Sequence, residues 1–476
     1  MSRCGKKSWW GRPAKKRPAR EDRLLLPTAL LPTVRSPIIS PLISVRYSVA
    51  VKTSSVRIAL SLPAFVLLFL IGNPSIAQGP RPGLASARAG SGGFVHTDGE
   101  NLVDGAGRII HLKGINLGNW FEVEGYMFHF DGGPQSPREI EDLTRELLGP
   151  AKAEAFWKQW RETYITEADI DRIAAEGFNS VRVPLHYKFF TSDGAEGFRL
   201  IDRLLGWAAK DHIRVVLDMH CAPGGQTGTN IDDSYGYPWL YSSPEAQAET
   251  VAIWTRIAAR YADNPTVLGY DLLNEPIPHY PRDQQFNADL EPVYRKIAAG
   301  IRSVDRNHVL ILGGAQWDSN FKVFGPPFDG NVVYQLHKYW TKTTDVSVIQ
   351  PYLDFRAEYH VPIWCGESGE NTDAWIAGFR QTLDENNVGW AFWTYKRMDD
   401  TASPVTFDRP VHWDEIVAFA KLPTGTGNAE RRLAARPAQA DIDAAFADLL
   451  EKIQFANERV NAGYLEALGM HAAGSQ

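Results

Sequence analysis

The chain has 476 residues, 44% of them hydrophobic, which is enough for a sizeable core and long for one ordinary compact domain. A formal net charge of -6 argues against nucleic acid as a main partner, and three cysteines (Cys4, Cys221 and Cys365) give no disulfide framework. Fifteen tryptophans and seventeen tyrosines suit stacking on the C–H faces of sugars as well as core packing.

Residues 1–57 are basic and interrupted by proline. Arg57 then precedes an apolar run, Ile58–Ile71, followed by Asn73, Pro74, Ser75, Ile76 and Ala77. A basic start, a short apolar stretch and a small-x-small ending describe a signal peptide, with cleavage expected after Ala77 and a secreted or periplasmic product. Fourteen residues including Pro63 are too few for a comfortable membrane span, so no stable span is expected after cleavage; an uncleaved anchor is the rival reading. The long basic leader fits a translation start near Val49 or Val51. Residues 78–92 read as a flexible lead-in, residues 93–422 as the folded domain, and residues 423–476 as a linker and C-terminal helix.

Phe94–Leu112 alternates around Asp104-Gly105-Ala106-Gly107 and reads as a β-hairpin. Eight short apolar runs follow: Leu112–Asn116, Ser180–Pro184, Val215–His220, Leu268–Asn274, Val309–Leu312, Val332–His337, Ile363–Glu367 and Gly389–Tyr395. Amphipathic helices are expected over Thr166–Glu176 (with a capping box from Thr166 to Asp169), Ile201–Asp211, Ala246–Tyr261, Pro292–Val304, Pro351–Glu358 and Thr372–Glu385. Strand–helix alternation of this length predicts a (β/α)8 TIM barrel with an N-terminal hairpin. A doubly wound sheet is disfavoured because no Gly-x-Gly-x-x-Gly opens the first unit. Beyond Leu422, apolar positions from Ile442 to Leu465 recur at near-helical spacing, predicting a helix or two packed back on the barrel.

Barrel enzymes place their chemistry at strand C-terminal ends. The polar residues fall there: Asn116, Arg182, His220, Asn274, Glu275, His337, Glu367 and Trp393. Glu275, in Asn274-Glu275-Pro276, is expected to close the fourth strand and Glu367 the seventh. Two carboxylates across a glycosidic bond supply an acid/base and a nucleophile, and a separation of about 5–5.5 Å gives retention of configuration. The same pair is also compatible with a buried ion pair to Arg182.

The segments Lys113–Trp120 (KGINLGNW), Val181–Pro184, Leu217–Gln226 (LDMHCAPGGQ), Leu272–Pro276, His337–Tyr339, Gly366-Glu367 and Gly389–Lys396 (GWAFWTYK) occur in this order on successive strands. On them the chain resembles glycoside hydrolase family 5, the exo-β-1,3-glucanase-like branch above all. The resemblance implies a retaining β-glycosidase acting on a β-linked polysaccharide or oligosaccharide, with Glu275 as acid/base and Glu367 as nucleophile. It further implies that Asn274 binds the sugar 2-hydroxyl, that Arg182 and Tyr339 hold the nucleophile ionised, and that His220 and His337 position substrate and site. Trp393 matches the floor of the −1 subsite; Glu124 matches a glutamate of that subsite, with Tyr126 nearby. No metal and no cofactor are implied.

Glu367-Ser368-Gly369 departs from the Glu-Trp-Ser pattern of fungal exo-glucanases, so linkage and endo or exo action stay open among β-1,3- or β-1,4-glucan, β-1,6-glucan, mannan and glucosylceramide-type substrates. The loop Cys221–Ser243, with Asp232, Asp233, Tyr235, Tyr237, Trp239 and Tyr241, is expected to wall the cleft. Cys365, two residues before Glu367, is expected on the same inward side, and strands three and seven are too far apart for a Cys221–Cys365 bridge. A non-catalytic carbohydrate-binding barrel is the alternative of another class, disfavoured because both glutamates are present.

Overall fold

Eight parallel strands close into a barrel because their sequences are apolar almost throughout, as strands covered on both faces must be. The structure, a computed structural model, describes residues 93–229 and 231–472. The leader, the Ile58–Ile71 run, the cleavage expected after Ala77 and the 78–92 lead-in lie outside the described residues. Ahead of the barrel, β1 (His96–Asp98) and β2 (Asn101–Val103) form the expected hairpin. Its turn falls at Gly99-Glu100, not at Asp104–Gly107. The latter turn closes one further bridge, Val103 to Ile109, and is held by Asp104 accepting from the N–H groups of Ala106 and Arg108 at 2.9 Å.

The barrel strands are β3 (Lys113–Asn116), β4 (Ser180–His186), β5 (Arg214–Cys221), β6 (Val267–Asp271), β7 (Val309–Gly313), β8 (Val332–Tyr339), β9 (Ile363–Gly369) and β10 (Gly389–Phe392), with β10 pairing back to β3. Val95 and Leu102 of the hairpin region pack with Val216, Leu268, Val309 and Trp364, so apolar side chains fill one end of the barrel. The polar residues collect at the other end, where the strands finish.

The six expected helices all form, with shifted ends. Thr166 caps Glu167–Ala175, its N–H and hydroxyl both donating to Asp169 Oδ2 at 2.7 Å. Ser243 caps Pro244–Tyr261 by accepting from Ala246 N–H at 3.1 Å. Pro292 lies inside the helix Asn287–Arg302 rather than at its start. Two further helices, Pro137–Leu148 and Pro150–Thr163, fill the long connection between β3 and β4; Gly149-Pro150 separates them, and Ser136 and Glu139 form a capping box on the first.

After the barrel, β11 (Lys396–Met398), β12 (Val405–Phe407) and β13 (Arg459–Val460) form a small sheet. The C-terminal region carries three helices, Ala429–Ala435, Gln439–Lys452 and Ala462–Ala467. They pack back as expected: Ile442, Leu449, Tyr464 and Leu465 are buried in the same core as the barrel helices. Lys396 is buried and donates to the carbonyls of Tyr164 and Ile453 at 2.6 and 3.1 Å, with Asp169 and Glu458 as counter-ions. Among the described residues no helix is long and apolar enough to cross a membrane.

Candidate active site

Arg182, on β4, is wholly buried at the centre of the polar end. A guanidinium there is tolerable only if every donor finds an acceptor and its charge is matched. Its Nε donates to Asp271 Oδ2 at 2.8 Å, Nη1 to Asn116 Oδ1 at 3.0 Å and to Glu367, and Nη2 to Asn274 Oδ1 at 2.8 Å. Asp218 Oδ2 lies 3.1 Å from Nη2. Burial pushes both Asp218 and Asp271 up to about 7, while Arg182 pulls each back down. Asn116 donates onward to the carbonyls of Gly366 and Phe392 at 3.1 and 3.2 Å, tying β3 to the ends of β9 and β10.

Glu367 sits within β9. Its Oε1 takes Arg182 Nη1, and its Oε2 accepts the Tyr339 hydroxyl at 2.8 Å. Burial raises its pKa, and Arg182 and the Tyr339 hydroxyl oppose that rise. Glu275 lies beyond the end of β6, which stops at Asp271; the expectation that Asn274-Glu275 closes the strand itself is corrected to that extent. Its backbone turns with a φ of 43°, and its carboxylate meets His337 Nδ1 at 3.1 Å. Burial first, then the charge of Glu367, drives the Glu275 pKa well above the usual range, with Arg182 opposing them. One oxygen of Glu275 and one of Glu367 lie within 4.8 Å of each other. Burial thus raises both carboxyls, and the contacts of Arg182 and Tyr339 hold the rise back at Glu367.

His220 Nδ1 lies 2.7 Å from Asp218 Oδ2, and its Nε2 lies 3.2 Å from Asn274 Nδ2. Burial depresses the imidazole to about 3, so it is uncharged, donating to Asp218 and accepting from Asn274. Arg182 and His220 thus grip the two ends of the Asn274 amide and fix its orientation. The Trp393 ring stacks on His220 at 5.5 Å, and its Nε1 donates to the Tyr126 hydroxyl at 2.7 Å. Glu124 lies beside His220 and Glu122, one ligand atom of each within 4.8 Å of the others. The ten residues given roles by the family resemblance therefore meet at one mouth, and Asn116 joins them through Arg182.

Several further residues join them. Asp218 was within reach, because alternate residues of a strand share a face and it precedes His220 by two. Gln226 donates to the carbonyls of His220 and Asn274 at 2.6 and 3.0 Å and closes the loop after β5 onto the loop after β6. Glu122 is buried with neither carboxylate oxygen hydrogen-bonded. Asp318, after β7, reaches His337 Nε2 at 3.1 Å. Gln316, Trp317 and Asp318 all have φ near 56°, at 56°, 55° and 56°, a left-handed run costing about 1–3 kcal/mol per residue. A side chain at Gly313 would stand 1.7 Å from Asp318 Oδ1, so the close approach needs glycine.

Cys365 does not share the inward side with Glu367. The β8–β9 register slips at Gly366, so Leu336 pairs with Cys365 and His337 with Glu367. That extra residue sends Cys365 out among the helix-facing core residues and turns Glu367 in. Gly366 has no room for a side chain, which would meet Gln335 Oε1 at 2.1 Å. Cys221 and Cys365 are both free and buried.

The loop after β5 is built on Asp232, which is buried and accepts from the N–H groups of Thr227 and Gly228 at 2.6 and 2.8 Å. Asp233 pairs with His186 at 2.9 Å. Tyr235, Tyr237 and Trp239 are exposed, and an open cavity of about 660 Å³ lies between Thr229, Gly236, Tyr280 and Arg282. Carboxylates and a histidine at this spacing are also the donor set of a metal ion, but around Glu367 the cationic position is filled by Arg182.

Residues 145–399, more than half of the chain, match the family described as Cellulase (glycosyl hydrolase family 5). The chain is 31% identical to a beta-xylosidase of Phanerodontia chrysosporium over 255 residues, 52% of each chain. It is 26% identical to Endoglucanase C of Acetivibrio thermocellus, covering 52% of this chain and 88% of that one. It is 30% identical to the sporulation-specific glucan 1,3-beta-glucosidase of Saccharomyces cerevisiae, covering 43% and 49%. The chain thus spans about half the length of the first and third of these relatives. Among solved structures, an endogalactoceramidase shares the fold at a TM-score of 0.53 and 18% identity, over 80% of this chain and 86% of that one. The chain belongs to glycoside hydrolase family 5, the cellulase family.

Proposed function

We propose that the protein is a secreted retaining β-glycosidase that cleaves β-1,3- or β-1,4-linked glucan by double displacement. Glu367 attacks the anomeric carbon while Glu275 gives its proton to the leaving oxygen; Glu275 then takes a proton from water as the glycosyl ester is hydrolysed. The observation that carries this reading is that an oxygen of Glu275 comes within 4.8 Å of one of Glu367, the short spacing that suits a retaining pair. Their surroundings support the division of roles. Arg182 and Tyr339 touch Glu367 and favour its charge, whereas at Glu275 burial and the charge of Glu367 outweigh the pull of Arg182 and favour the protonated form.

In this reading Asn274, fixed by Arg182 and His220, meets the sugar 2-hydroxyl, and Trp393 gives the ring an aromatic floor. Glu124, Tyr126 and His220 line the same subsite, and His337 orients Glu275. The glucan assignment rests on relatives named endoglucanase and glucan 1,3-beta-glucosidase. The test is hydrolysis of laminarin, lichenan, carboxymethylcellulose, mannan and glucosylceramide, with the first-formed anomer read by proton NMR. Turnover of a β-glucan with β product first supports the proposal. Turnover of mannan or glucosylceramide alone rejects the glucan assignment; α product first rejects double displacement. No turnover on any glycoside favours a carbohydrate-binding barrel.

A further inference from the structure

Asp318 ends a line of three side chains that starts at the barrel mouth. Its Oδ2 lies 3.1 Å from His337 Nε2, and His337 Nδ1 lies 3.1 Å from Glu275 Oε1. The same Oδ2 accepts from the backbone N–H of Glu275 at 3.3 Å. Asp318 is wholly buried and His337 nearly so. The Nε2 contact is electrostatic rather than an aligned hydrogen bond, a common state for such pairs before substrate fills a site.

An uncharged imidazole carries one N–H and one lone pair, so its two nitrogens show opposite polarity: Nε2 meets Asp318, and Nδ1 meets Glu275, with Glu367 Oε2 farther off at 3.6 Å. Burial keeps His337 uncharged. Burial raises the Asp318 pKa, with Asp271 and Glu275 adding to the rise and Arg182 opposing it. Its Oδ2 accepts the Glu275 N–H, so in either charge state that oxygen faces Nε2 as an acceptor and favours the proton there. The lone pair then lies on Nδ1, where it accepts from Glu275 only when Glu275 is protonated. The left-handed run and the side-chain-free Gly313 exist at the one point that brings Asp318 to this ring.

We propose, building on the acid/base reading of Glu275, that Asp318 is a positioning residue: it fixes the His337 proton on Nε2 and keeps the Nδ1 lone pair facing Glu275, which thereby holds the proton it delivers. After that proton leaves with the aglycone oxygen, the Glu275 carboxylate faces a lone pair and gains no hydrogen bond from the ring. It is left a stronger base toward water, from which the proton is returned. The imidazole proton stays on Nε2 throughout.

Other charges bear on both ends. Glu367, Arg182, Asp218 and Glu370 act on Glu275, which in turn acts on Glu124. Asp271, Glu275, Arg182 and Glu367 act on Asp318. The test substitution leaves all of them in place. In Asp318→Asn the amide can donate to Nε2, turning the N–H onto Nδ1 opposite Glu275 and favouring its ionised form.

The expected result is that the alkaline limb of kcat/KM, measured on an aryl β-glucoside with a poor leaving group, moves down by about one pH unit or more. The acid limb stays in place, and a good leaving group loses less rate. Asp318→Asn added to His337→Asn moves the limb no further. Glu275→Gln is profiled first: a limb that survives it overturns the acid/base reading and this proposal together. A limb lost in Glu275→Gln but unmoved in Asp318→Asn, whatever the fall in rate, overturns this proposal alone. Should Asp318→Asn not fold, nitrogen-15 NMR of His337 in the unsubstituted protein reads the same claim. A proton on Nε2 supports it, and a proton on Nδ1 overturns it.

Discussion

The Tyr339 hydroxyl donates to Glu367 Oε2 at 2.8 Å from its place at the end of β8, the strand next to the one that carries Glu367. A phenol donor on a carboxylate favours its charged form, the form a nucleophile needs. Tyr339→Phe removes a hydrogen bond to a charged group, worth about 1.5–3 kcal/mol. The expected loss in kcat/KM is about 10- to 100-fold. Because Glu367 then ionises less readily, the acid limb of the pH profile should move to higher pH. A height change with a fixed limb would count against this role of the hydroxyl.

The two glutamates should part company when each becomes an amide. Glu275→Gln should lose activity on natural glycosides yet still form a glycosyl intermediate from substrates with highly activated aryl leaving groups, which need no proton. Glu367→Gln should fail on both. Rapid-quench kinetics on a dinitrophenyl glycoside separates them, and full activity of Glu367→Gln would end the assignment.

Among the described residues, Arg182 is the one cation in contact with Asp218, Asp271 and Glu367. Removing one partner of a buried ion network costs about 3–5 kcal/mol. Arg182→Met should therefore lower the denaturation midpoint. Asp218 and Asp271 have folded values of about 7, above the ordinary carboxylate value of 3.8, so they are largely protonated in the folded parent below that pH and charged above it. The cost of losing the guanidinium should be greater at pH 8 than at pH 5, as read by urea unfolding at both.

Glu176 ends the helix behind β4, buried and with neither oxygen hydrogen-bonded. Burial raises it from 4.5 to about 8. A folded value above the unfolded one means the folded chain keeps a proton the unfolded chain releases. Stability is then lost as pH rises from about 4.5 through about 8. Glu176→Gln removes that loss and should stabilise the protein by about 1–3 kcal/mol near pH 8, with little effect at pH 4. Equal unfolding curves at pH 8 would show that the side chain is not kept neutral.

The barrel and its two glutamates are legible in the sequence for one physical reason. Parallel strands covered on both faces are apolar until their C-terminal ends, so Arg182, His220, Glu275, Glu367 and Trp393 interrupt hydrophobic runs where a mouth must be. What escapes is set by tertiary packing. Asp318 lies in a left-handed turn after β7, and its approach to His337 needs the room left by Gly313. The slip at Gly366 reverses the side on which Cys365 lies, and it shows only in the pairing with β8. Pro137–Leu148 and Pro150–Thr163 hide in a segment where Gly149-Pro150 breaks the helical period. The hairpin is visible as alternation, but Asp104-Gly105-Ala106-Gly107 draws the eye to the wrong one of two turns.

The central claim is that Glu367 forms a covalent bond to the sugar. Incubation with a dinitrophenyl 2-deoxy-2-fluoro-β-glycoside, which slows breakdown of the intermediate more than its formation, followed by peptide mass mapping, tests it most directly. One glycosyl unit per chain on the peptide containing Glu367, released by an added sugar acceptor with return of activity, is the predicted result. A label on Glu275, or rapid turnover and single-step inversion with no labelled peptide, would contradict it.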